Sequence, residues 1–202
     1  MDRENDRIIL KDQFSKQDQE TTPEYTLSSK GKSIMETIND ALLREVLFCN
    51  KVAVRADRKK LSFSNRHRRN NVFLASKDKK YEYKLFMRQS EDFLEDFSVG
   101  LIWTNPSKFI EITKSSVILV RCQGPHDGKE PLGFDIHHDY HIHTITLEDF
   151  KDKRYQKPSG RVSTSKFSSF EQAIFHLMTE YKVDGVAKVV DLPEEVEQTS
   201  LF

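Results

Sequence analysis

Tyr81-Glu-Tyr-Lys-Leu-Phe-Met-Arg88 alternates apolar and polar side chains along its first half, and Phe97-Ser-Val-Gly-Leu-Ile-Trp103 and Asn71-Val-Phe-Leu-Ala-Ser76 carry similar period-two patterns on either side of it. Successive side chains of a strand point to opposite faces, so such runs read as strands with one buried face. Lys77-Asp-Lys-Lys80 supplies the turn between the first two strands, and Asn105-Pro106 joins Phe97–Trp103 to a further expected strand, Lys108-Phe-Ile-Glu-Ile-Thr113. Val117-Ile-Leu-Val-Arg-Cys122 is apolar enough to be a fully buried strand, and Tyr140 to Leu147 reads as another. Connections this short favour an antiparallel meander.

Helices frame the meander. Ile34, Ile38, Leu42 and Val46 recur every four residues, which predicts a helix over 33–50 with Ser33 as N-cap and Glu36 completing a capping box. Phe170, Ala173, Ile174, Leu177, Met178 and Tyr181 mark a second amphipathic helix capped by Ser168 or Ser169, after a loop at 157–165. The expected fold is α+β, an antiparallel sheet of about five or six strands with an N-terminal and a C-terminal helix packed on it.

With 37% hydrophobic and 32% charged residues, the 202-residue chain is too polar to be packed throughout. The expected organisation is a polar arm at 1–32, one domain at 33–190 and an acidic tail at 191–202. Lys and Arg balance Asp and Glu at 32 each, so bulk charge names no polyanionic partner. Cys49 and Cys122 stand in apolar surroundings without a spacing motif, which suits a reducing compartment. No signal-peptide pattern or membrane-length apolar run is present, and a cytoplasmic protein with no membrane partner is expected.

Five of the seven histidines, His126, His137, His138, His141 and His143, fall within eighteen residues. His141 and His143 sit two apart in a strand and so share a face. Gly124-Pro125 turns the chain just before His126 and brings it beside them if the two strands pair. His137, His138 and Asp139 are accessory candidates, while His67 and His176 read as bystanders.

Three uses fit the cluster. A transition metal such as zinc or manganese on His126, His141 and His143 would activate water. Metal-free RNA cleavage would use one histidine as base and another as acid, with Arg121 or Lys153 stabilising the charged transition state. A structural metal would staple the connection 123–140. Solvated loop histidines are the bland alternative.

The pattern Arg121-x-x-Gly124-Pro125-His126, then His141-Ile-His143-x-x-Thr146, then Phe167-Ser-Ser-Phe170-Glu171 resembles an uncharacterised family of small bacterial and phage proteins, itself similar to TumE-type toxins of toxin–antitoxin pairs. The likeness spans about 81–181. It implies a cytoplasmic α+β domain with RNA-cleaving, growth-inhibiting activity and an antitoxin or other defence-system partner. Relatives often carry a second histidine where this chain has Gly128, and His137 or His138 stands in.

Between Arg55 and Arg69 lie seven Lys/Arg and one acid. Arg58, Lys59, Lys60, Arg66, Arg68 and Arg69 on a hairpin would suit phosphate backbones. The tail holds four acids and no base, and ends with Gln198, Leu201 and Phe202, similar to peptides that dock on the bacterial DNA sliding clamp. The leading expectation is a toxin-like or defence-associated nuclease that cleaves RNA through a histidine-rich site. The other is a non-catalytic interaction or inhibitor protein, phage-encoded in one version, with a metal-stapled loop and a docking tail.

Overall fold

Strand pairing runs through almost every segment of the computed structural model, which describes residues 38–126 and 139–192. The chain begins there with α1 (Asp40–Phe48), then β1 (Lys51–Ala56), the two-residue β2 (Phe63–Ser64), β3 (His67–Ser76), β4 (Glu82–Ser90), β5 (Phe97–Trp103) and β6 (Val117–Gln123). It continues with β7 (His141–Thr144), α2 (Leu147–Lys151), β8 (Gly160–Ser163), α3 (Phe170–Glu180), β9 (Val183–Asp184) and α4 (Val186–Val189). One sheet of eight strands results, in the order β8-β7-β6-β5-β4-β3-β1-β9, with β2 paired off this path to β3. All pairs are antiparallel except β1 with β9.

The sheet is therefore larger than the expected five or six strands, and mixed. Two strands account for much of the excess. Lys51–Ala56 has one buried end residue and otherwise exposed or half-buried positions, so it shows no clean alternation. Gly160–Ser163, expected to lie in a loop, is an edge strand whose one apolar residue, Val162, is 66% exposed. The reverse error falls at 108–113. Pro106–Lys108 forms a 3₁₀ turn, and Ile110 is buried in the core outside any strand.

Alternation sorts the side chains onto two faces. Val72, Leu74, Tyr83, Leu85, Met87, Phe97, Val99, Leu101, Trp103, Val120 and Cys122 are buried on one, beneath the helices. Phe97 meets Phe170 of α3 at 6.0 Å between ring centroids, and the Tyr83 hydroxyl donates to Val46 O of α1 at 2.9 Å. Burying such side chains contributes roughly 1.5–3 kcal/mol each, which is why this face dominates stability.

The helix starts are fixed locally. Asn39, whose side chain accepts from Leu42 N, caps α1, whereas the expected cap Ser33 lies outside the described residues. Ser169 caps α3 through Gln172 N. Thr146 and Asp149 form a capping box on α2.

Lys51 is buried at the meeting of α1 and α3. Its Nζ donates to Leu47 O, Cys49 O and Tyr181 O at 2.7, 2.9 and 3.2 Å. These carbonyls take up all three protons, while burial lowers its pKa to about 8. Asp191 and Leu192, the first residues assigned to an acidic tail, are tied to the domain. Asp191 N donates to Lys59 O, and Leu192 is buried.

Candidate functional site

The face away from the helices carries the histidine cluster. Register places Arg121 of β6 opposite His143 of β7, which is opposite Arg161 of β8. One step along, Gln123, His141 and Ser163 form the adjoining row. His126 joins them from beyond the end of β6. A Cβ on Gly124 would lie 1.9 Å from Glu95 O and 2.8 Å from the Phe97 ring, so only glycine lets the chain pass there and turn. After that turn the His126 ring lies 5.4 Å from His141, whose ring is 5.0 Å from His143.

Each ring is held by the main chain in the same way. Nδ1 lies 2.9 Å from Gly124 O in His126, 2.9 Å from Asp139 O in His141 and 3.1 Å from Pro158 O in His143. A carbonyl can only accept, so the neutral rings carry hydrogen on Nδ1 and the lone pair on Nε2. Three imidazoles in ring contact thus present the same basic nitrogen. Burial lowers the His141 pKa, with Arg161 and His126 adding to the effect. Burial, then the neighbouring His141, lowers that of His143 to about 4. Both are neutral bases at physiological pH.

Two guanidiniums flank them. Arg121 donates to Gln156 O at 3.1 Å, and its buried Nε has no acceptor among the described residues. Arg161 donates to Asp139 at 2.6 Å, and Asp139 also accepts from the Ser163 hydroxyl. Asp139 thereby orients the site twice, through its carboxylate and through its carbonyl on His141. Among the described residues, no group of three or more His, Cys, Asp or Glu is arranged to hold a metal ion.

The other sequence candidates are scattered. His137 and His138, and the tail residues Gln198, Leu201 and Phe202, lie outside the described residues. Lys153 occupies a turn after α2 with φ of 58°. Arg58, Lys59 and Lys60 lie in the connection from β1 to β3, where Asn70 bonds the main chain of Arg58 on both sides. Arg66 pairs with Asp92 at 2.9 Å.

Arg68 corrects the expected hairpin display. It points to the helix side, pairing with Glu171 at 2.5 Å and lying 4.6 Å from the Phe170 ring centroid. Of the basic run's strand residues, Arg69 has the parity of the open face.

Arg161 was missed because its strand looked like a loop. Arg88 and His67 also share the open face, their side chains 3.5 Å apart, and no local spacing links residues 21 apart in sequence. Searches of protein-family models, curated proteins and solved structures give no match for the chain.

Proposed function

We propose that this protein is a toxin-like or defence-associated nuclease that cleaves RNA by acid–base catalysis on the open sheet face. The observation that carries the reading is the joined set His126, His141 and His143, each with Nδ1 on a carbonyl, which puts the ring's basic lone pair on Nε2, beside Arg121 and Arg161. RNA carries its own nucleophile, the 2′-hydroxyl, so imidazoles and guanidiniums suffice for its cleavage.

In the proposed step His143 Nε2 takes the proton from the 2′-hydroxyl as that oxygen attacks phosphorus. The bond from phosphorus to the 5′-oxygen breaks, and His126 in its protonated form gives the leaving oxygen its proton. The products are a 2′,3′-cyclic phosphate and a 5′-hydroxyl. Arg121 and Arg161 hold the phosphoryl oxygens as negative charge develops. His141 lies between the two proton carriers and fixes their separation.

The test is incubation of the purified protein with an oligoribonucleotide and with the same strand 2′-O-methylated throughout. Cleavage of the first alone, ending in a cyclic phosphate, and its loss by 10²-fold or more in His143→Ala with the fold intact, is the expected result. Equal cutting of both strands would remove the internal nucleophile from the mechanism. An uncut RNA would leave a non-catalytic binding protein.

A further inference from the structure

We propose that the open face is a track for single-stranded RNA, leading from the imidazole pocket across Phe86 to a second phosphate cradle at Arg88 and His67. The identity of the polymer rests on the RNA-cleaving reading above; the track itself rests on sheet register and on buried donors.

Two adjacent rows cross β3 to β8 on this face. One runs Asn71, Phe86, Gly100, Arg121, His143, Arg161; the next runs Arg69, Arg88, Ser98, Gln123, His141, Ser163. Neither row contains a carboxylate. Arg69 and Arg88 stand directly opposite each other, an arrangement of like charges that destabilises a sheet by itself. A polyanion lying along the rows would reverse the sign of that term.

At the far end two buried donor atoms have no acceptor among the described residues. A guanidinium can only donate, so in the 3.5 Å contact between Arg88 and His67 the imidazole Nε2 accepts and Nδ1 carries the hydrogen. That Nδ1, the Arg88 Nε and the Arg121 Nε are all buried without a partner among the described residues. Leaving such donors unsatisfied is costly, and an arriving phosphate oxygen would offset that cost. Three of them on one face of one sheet point to an anionic chain rather than to a single ion.

Between the cradles lies an aromatic ring. A Cβ on Gly100 would sit 2.5 Å from Phe86 Cε1 and Cζ, so the ring rests over the glycine backbone in the gap between Arg88 and Arg121. Arg88 and Arg121 are on strands two apart, about 10 Å across the sheet. That span lets one phosphate engage each while the intervening base stacks on Phe86. The Phe86 ring is half-buried, and a ring with one accessible face on a sheet serves unstacked bases, which a duplex does not offer; this selects a single strand.

The experiment measures binding of a labelled, fully 2′-O-methylated oligoribonucleotide by fluorescence anisotropy to the full chain, over a salt series. Arg88→Gln should weaken it about tenfold and lower the salt slope by about one. Phe86→Leu, which keeps an apolar side chain over Gly100, should weaken it at least fivefold. A dinucleotide should bind all three proteins equally.

Affinity unchanged in both variants, or dependent instead on Arg58→Ala with Lys59→Ala and Lys60→Ala, would overturn the track. If the variants behave as expected but RNA is never cut, the track stands and the catalytic reading falls. Cutting that ignores Arg88 and Phe86 would sink the track alone.

Discussion

Replacing Asp149 with Asn should lower stability at neutral pH and flatten its acid dependence. The carboxylate is fully buried and accepts from Thr146 N at 2.9 Å, Thr146 Oγ1 at 3.0 Å, Arg154 Nε at 2.8 Å and Ser159 N at 3.1 Å. Burial acts against its charge, but these donors outweigh it and bring the pKa from 3.8 to about 2. At 1.36 kcal/mol per unit the charged form is favoured by about 2 kcal/mol in the folded state. Because the folded pKa lies below the unfolded one, this stabilisation is present above about pH 4–5 and drains away as pH falls through about 2. Urea unfolding followed by the single, buried Trp103 reads it directly. Wild type should lose about 2 kcal/mol more than Asp149→Asn between pH 7 and pH 2. The loss should reach the site too, since Ser159 follows the Pro158 carbonyl that orients His143. Equal stability at pH 7 together with equal acid sensitivity would show that the Asp149 carboxylate is not held by these donors.

Arg68→Ala should cost about 3 kcal/mol, because it strands Glu171 in a pair whose side chains are 17% and 18% exposed, yet RNA affinity should not change; a thermal melt and an anisotropy titration check the two halves. With His143 held to about 4 and acting as base in its neutral form, the acid limb of kcat/KM should fall near pH 4; a limb at the ordinary imidazole value of 6.5 would exclude His143 as the base. Ser169→Ala should cost about 1 kcal/mol by leaving Gln172 N without its cap, measured by urea unfolding.

The central strands were legible because burial on one face leaves a period-two trace. Tyr83, Leu85 and Met87 alternate with half-buried residues, and β5 matches its expected bounds. β8 leaves no such trace, since an edge strand of Gly, Arg, Val and Ser buries little, and only its pairing with β7 makes it a strand. Phe109, Ile110 and Ile112 gave a strand-like rhythm that the Pro106 turn cancels, because three apolar residues can fill a core from a loop.

The site divides along the same line. His141 and His143 share a face by strand parity alone, and the Gly124-Pro125 turn announces His126. Arg161 and Arg88 depend on which strands become neighbours, and register across a sheet is set by long-range pairing rather than by local pattern. The basic run misled for the complementary reason. Charge along the sequence does not tell which face a strand residue occupies, and Arg68 went to the helices.

The most direct measurement is of the imidazole nitrogens themselves, by ¹⁵N NMR of histidine-labelled protein titrated with the 2′-O-methylated strand. Nδ1–H tautomers are expected for His126, His141 and His143 in the free protein, with shifts in all three that follow one binding curve. Nε2–H tautomers, or three rings that respond independently or not at all, would contradict a shared centre.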